Sequence, residues 1–152
     1  MENTSDNQKY SVNNVEEVQT VAEPPEVKKK IIFGLPGDSL ETMQETLDFS
    51  KKLNTCGWNG YPAIALPGSK IYKEAYDNNS ILPKEYEEYS FLGKKTLPVI
   101  HENLSRDQIL KFRDDAFHEY HSNQSFKDKI QSIYGPRAVE SIEKMLLVKL
   151  ER

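Results

Sequence analysis

Two Leu-Pro-Gly turns hold the residues best placed to do chemistry. The first lies in Ile31-Ile32-Phe33-Gly34-Leu35-Pro36-Gly37-Asp38-Ser39, the second in Ala63-Ile64-Ala65-Leu66-Pro67-Gly68-Ser69. In each, an apolar run ends, Pro-Gly turns the chain, and a serine opens an amphipathic segment. Loops at strand C-termini are where α/β proteins meet their ligands. Backbone N–H groups between Gly34 and Ser39 can take an anion, or a ligand's polar edge, at a helix N-terminus. The same residues also suit a plain tight turn followed by an N-cap. The segment is not a P-loop, because no Gly-Lys-Ser/Thr follows. Gly34-Leu35-Pro36-Gly37 also lacks the spacing of a dinucleotide fingerprint.

Other reactive side chains are scattered. His118 and His121 are three apart, the spacing of a two-ligand metal half-site on a helix. No carboxylate completes it, so two exposed helical histidines are expected. His101 stands alone. Cys56, beside Gly57 and Trp58, has no base near it in sequence and reads as a packed or loop cysteine. Tyr86, Tyr89 and Phe91 can stack on a planar ligand or cover the end of a core. Arg113-Asp114 reads as an ion pair docking its helix on the body.

The elements that must position these residues follow from periodicity. Val27 to Leu35 is apolar at its C-terminal end without strict alternation, which predicts a parallel strand covered on both faces. Ser39 or Asp38 can cap a helix with Leu40, Met43, Leu47, Ser50 and Leu53 on one face. Asn54 to Asn59 reads as a turn-rich connection and Tyr61 to Leu66 as the second strand. Ser69 to about Asn78 reads as a second helix, with Ile71, Tyr72, Ala75 and Tyr76 available for packing.

An aromatic, irregular stretch follows from Ile81, and residues 96–100 read as extended. Ser105 caps a helix carrying Ile109, Phe112, Ala116 and Tyr120, with Asp107 in its first turn. Phe126 to Tyr134 is a further helix. Gly135-Pro136 ends it, and Pro136 can begin the last one. Ala138, Ile142, Met145 and Lys149 mark one face of that helix, with Val139, Leu146 and Leu150 beside it.

Before the first strand, Met1 to Asn14 is polar. Val12, Val15, Val18 and Val21 suggest a short helix, stopped by Pro24-Pro25. The expected division is a tail with a possible helix over 1–26, a strand–helix segment over 27–92 and a helical extension over 93–152. Two parallel strands flanked by helices want more strands beside them, so the pattern reads as a slice of a larger α/β architecture.

Composition bounds the function. One cysteine in 152 residues excludes an internal disulfide and any all-cysteine metal or iron–sulfur site on this chain. The net charge of -4 and the short runs Lys28-Lys29-Lys30 and Lys94-Lys95 do not make a nucleic-acid surface. No apolar stretch approaches the ~20 residues of a membrane span. The N-terminus lacks a signal-peptide core, so the cytoplasm is the expected compartment.

Residues 31–39 resemble a segment of radical S-adenosylmethionine (SAM) enzymes, specifically the cobalamin-binding-domain type. The likeness continues through Tyr61 to Ala75, then Leu104-Ser105, Ile109 to Tyr120, and Tyr134-Gly135-Pro136 to Leu150. It implies a fold: an incomplete (β/α) barrel segment, the last two βα units of a partial TIM-like barrel, with a C-terminal helical extension. The Ile31 strand would be the fifth of that barrel and the Ala63 strand the sixth. It also implies that Gly34, Pro36, Gly37 and Asp38 help hold the adenosyl part of SAM, although the family usually carries Glu where this chain has Asp38. The family's cofactors are SAM, a 4Fe-4S cluster and cobalamin. Its cluster is held by a Cys-x-x-x-Cys-x-x-Cys triad that this chain lacks, so no SAM cleavage is expected from the chain alone. Three outcomes are open: a C-terminal fragment from a truncated or split reading frame, a non-catalytic subunit completing a barrel with a partner chain that supplies the N-terminal half, or a degenerate remnant with no function.

Overall fold

The computed structural model describes residues 28–99 and 101–151. The polar tail and the valine helix expected before residue 27 lie outside the described residues. Strand β1 (Lys28–Phe33) and strand β2 (Gly57–Pro62) pair in parallel, Lys28 opposite Gly57 and Phe33 opposite Pro62. Helix α1 (Leu40–Leu53) joins them and α2 (Lys70–Asp77) follows β2. A 3-10 turn at Tyr86–Tyr89 then leads to α3 (Arg106–Ser122), α4 (Gln124–Tyr134) and α5 (Pro136–Leu146). The chain is therefore α/β and mostly helical, with a two-strand parallel sheet among the described residues.

The second strand begins four residues before the expected Tyr61 and ends at Pro62. Asn54 takes a left-handed conformation, φ 44, at the end of α1, so the connection is complete by Cys56. Gly57-Trp58-Asn59-Gly60 has the composition of a turn, yet Trp58 and Gly60 alternate into the core. A Cβ on Gly60 would lie 2.6 Å from the Trp58 ring and 2.9 Å from the Phe33 ring, so only glycine lets these rings close over the strand. Beyond Pro62 the chain stays extended. The Ala63 N–H donates to the Phe33 carbonyl at 2.8 Å, and the Val99 N–H donates to the Ala63 carbonyl at 2.8 Å. Of the segment expected to be extended at 96–100, the described residues 96–99 lie beside the end of β2 without forming a strand.

Cover on both faces of β1 is not what the described residues provide. Phe33 is fully buried beneath the helices, whereas Ile32, on the opposite face, is 50% exposed. Among the described residues the core helices pack on one face of the sheet, while Ile71 of α2 lines a groove with Ile32 and Tyr61 on the other. On the core face Trp58 stacks on Tyr120, ring centres 4.9 Å apart, and Tyr120 meets Phe126 at 5.2 Å. Met43, Leu47, Leu104, Ile109 and Ile130 complete the cluster. One core therefore runs through residues on both sides of position 93, and the C-terminal helices are what the strands pack against.

The caps form as their residue types dictate. The hydroxyls of Ser39, Ser69 and Ser105 accept from the N–H groups of Thr42, Tyr72 and Gln108, and Pro136 is the first residue of α5. Within α1 the middle of the expected face is buried, at Met43, Leu47 and Ser50, while Leu40 and Leu53 at its ends are exposed. The expected packing of α2 is weaker than its pattern suggests: none of its residues is buried and Tyr76 points largely into solvent. In α5, Ala138, Val139 and Ile142 pack partly against the core, and Lys149 and Leu150 fall beyond the helix end. Arg113 does dock α3. Its buried guanidinium donates through Nε to the Gly60 carbonyl at 3.1 Å and through Nη1 to Asp114 Oδ1 at 2.5 Å.

Candidate functional site

Both Leu-Pro-Gly turns stand at the C-terminal end of the parallel pair. In each, proline and a positive-φ glycine occupy the two central positions, at φ 93 for Gly37 and 86 for Gly68. The closing bonds run from the Asp38 N–H to the Leu35 carbonyl (2.9 Å) and from the Ser69 N–H to the Leu66 carbonyl (3.0 Å). This is type II turn chemistry.

The two turns differ in what fills them. Asp38 folds back over the first, where its Oδ2 accepts from the Gly34 N–H at 3.0 Å and from the Leu35 N–H at 2.9 Å. Its Oδ1 takes the Thr42 hydroxyl at 3.2 Å. The backbone donors that suggested an anion site are thus occupied by the chain's own carboxylate, and an incoming anion would have to displace it. Of the four residues carried over from the resemblance, Gly34 is buried against Ile109, Asp38 is half-buried in these bonds, and Pro36 and Gly37 are exposed on the rim. Removing the carboxylate should be felt locally: Asp38→Ala is expected to cost about 1–2 kcal/mol in urea unfolding. Asp38→Asn, which keeps an acceptor, should cost less. No measurable loss for Asp38→Ala would refute the carboxylate's role.

A cavity of about 210 Å³ opens at the same end of the sheet. Pro36 of the first turn and Ala65, just before the second, both line it, with Glu74 of α2, Asn78 at that helix's C-cap, Ser80 and His101. The His101 ring nitrogens are buried there, and among the described residues neither has a hydrogen-bond partner. Neither His101 nor Asn78 and Ser80 stood out in the sequence. A lone histidine after a Pro-Val-Ile run carries no local signal of a cavity.

The remaining candidates are dispersed. His118 lines a separate cavity of about 170 Å³ with Arg113, Asp114 and Met145. His121, expected to be exposed, is instead buried among Trp58, Phe117, Tyr120 and Phe126. Its Nδ1 lies 2.8 Å from the Phe117 carbonyl, an acceptor only, so this nitrogen carries the hydrogen. Burial holds its pKa below the ordinary value, partly opposed by that bond. The unfolded imidazole accepts a proton near about 6.5, which native His121 resists. The unfolded state then binds more protons, so stability falls as pH drops below that value. His121→Phe should flatten this part of the curve in urea titrations across pH; an unchanged slope would count against it.

Cys56 is half-buried before the start of β2, at the opposite end of the sheet from the turns. Tyr86 is almost wholly exposed, Tyr89 donates its hydroxyl to the Pro83 carbonyl at 3.0 Å, and Phe91 meets Tyr61 at 4.8 Å. They do not form one stacking platform. Among the described residues no three His, Cys, Asp or Glu side chains gather as a metal site, and no helix is long and apolar enough to cross a membrane. No family model, curated protein or solved structure matches the chain.

Proposed function

We propose that the chain is the C-terminal part of a radical SAM barrel of the cobalamin-binding type, inert in SAM cleavage by itself. The observation that supports this reading is the shared position of the two Leu-Pro-Gly turns. Both end strands of one parallel pair, and Pro36 and Ala65 meet on one cavity, as βα loops do at the ligand-facing end of a barrel. In this reading β1 and β2 are the fifth and sixth strands, and Gly34, Pro36, Gly37 and Asp38 form the edge facing SAM. Asp38 then acts as a brace that shapes the turn, and exposed Pro36 and Gly37 offer the surface.

The donor set does not fit a 4Fe-4S cluster. The chain has one cysteine, at the end of the sheet away from the rim. No step of cluster chemistry is assigned to it. No residue is carried over to cobalamin, which such enzymes hold on another domain. Iron and sulfide reconstitution under anaerobic conditions tests the reading. The expected result is no stoichiometric iron and no charge-transfer band in the visible; four irons per chain would overturn it.

A second reading is a non-catalytic subunit that completes a barrel with a partner chain. The open sheet face favours it. Ile32 and Leu66 are 50% and 42% exposed, and with Tyr61 and Phe91 they line a groove of about 350 Å³. Such a face fits a neighbouring strand layer. Co-purification of a cysteine-triad chain would support this reading, and a monomer indifferent to that chain would oppose it. Both readings go with a cytoplasmic setting and with no role in nucleic-acid binding.

A further inference from the structure

Among the described residues, the imidazole of His101 is the side chain whose buried polar atoms have no hydrogen-bond partner. A neutral imidazole offers one donor and one acceptor, and burial normally requires that both be met. Here Nδ1 and Nε2 are both buried, and among the described residues neither is bonded. The ring belongs to a cavity large enough for a small organic molecule. About half of its wall is apolar, from Pro36, Ile71, Pro83 and Leu97 among others.

The polar part of the wall has a definite sign. Glu74 lies in the C-terminal half of α2 and Asn78 caps its end, where the helix carbonyls make the potential negative. Among the described residues no lysine or arginine lines the cavity. The partner of Glu74, Lys70 Nζ at 3.5 Å, is on a side chain 88% exposed and lies on the solvent side. A ligand suited to this wall carries hydrogen-bond donors and positive charge at one end and a short hydrocarbon body at the other. A carboxylate or phosphate would meet Glu74 and the helix end with the wrong sign.

We propose that this cavity binds a small aliphatic primary amine as its ammonium form, with the head donating to His101 and facing Glu74. The site stands on the cavity and its imidazole and does not depend on the barrel reading. Matched probes separate the contributions: butylammonium, butyramide and butyrate share size and shape and differ in the head group. Each is titrated into the full chain while the His101 ring resonances are followed by NMR.

Butylammonium should shift those resonances saturably and more tightly than either analogue. His101→Phe, followed through the amide resonances of Ala75 and Val99 in the cavity wall because its imidazole is gone, should weaken binding by about tenfold or more, the loss of a hydrogen bond to a charged group. Glu74 is half-exposed and makes no core contact, so Glu74→Gln should keep the fold and weaken binding roughly threefold to fivefold. The absence of saturable shifts, equal binding by His101→Phe, or butyrate or butyramide binding as tightly as butylammonium would each overturn the proposal.

Discussion

Gly34→Ala is expected to lower the unfolding free energy by about 2–5 kcal/mol, from left-handed strain and overpacking together. Gly34 has φ 79, which a side chain adopts at a cost. A Cβ there would also sit 2.8 Å from two carbons of the Ile109 side chain, which is fully buried on α3. The turn leaving β1 presses directly on the helix that covers the sheet, so no free volume accepts the methyl group. Gly37→Ala is the natural control. Its φ of 93 carries the same kind of strain, but no atom lies within 4 Å of the added carbon. It should cost about 1–2 kcal/mol. Urea unfolding followed by the single buried tryptophan separates the two. Equal destabilisation would show that contact with Ile109 contributes nothing.

Trp58→Ala is expected to cost about 3–5 kcal/mol. The indole is 3% exposed and lies between Tyr120 and Phe33, and its Nε1 donates to the Ser50 hydroxyl at 3.0 Å. Ser50 passes its own hydrogen to the Leu47 carbonyl at 2.7 Å, so β2 and α1 are joined by one short chain of bonds. Removing the ring opens a cavity at the meeting point of β2, α1 and α3. For a domain with only about 5–15 kcal/mol of stability this leaves little reserve. Trp58→Phe should keep the stack on Tyr120 and lose the Ser50 bond, costing less. Far-ultraviolet circular dichroism against urea reads both, because the fluorescent probe is gone. A Trp58→Ala loss no larger than that of Trp58→Phe would mean that packing around the ring matters little.

These two positions mark the edge of what a single sequence reveals. Gly34 is visible as a turn residue because Pro-Gly chemistry is local. Its contact with Ile109, 75 positions away, is not. Trp58 sits in Gly-Trp-Asn-Gly, which reads as a turn by composition. It becomes strand because Lys29 pairs with it and Tyr120 receives its ring. Asp38 is legible as a turn residue, but the return of its carboxylate onto Gly34 and Leu35 is a property of the folded turn. His101 and His121 were indistinguishable as letters. One is packed in the aromatic core and the other faces a cavity, because α3 buries the first and the loop before α3 carries the second to the rim.

The sequence by itself determined the turns, the serine caps, the order of elements, and the exclusion of an iron–sulfur site on one cysteine. All of these depend on residues within about four positions of one another or on composition alone. Tertiary structure decided where β2 begins, which face of the sheet stays open, how the first Leu-Pro-Gly turn is filled, and which histidine meets the cavity. Each of those outcomes comes from contacts between distant segments, where volume and hydrogen-bond partners are supplied by residues that no local period records.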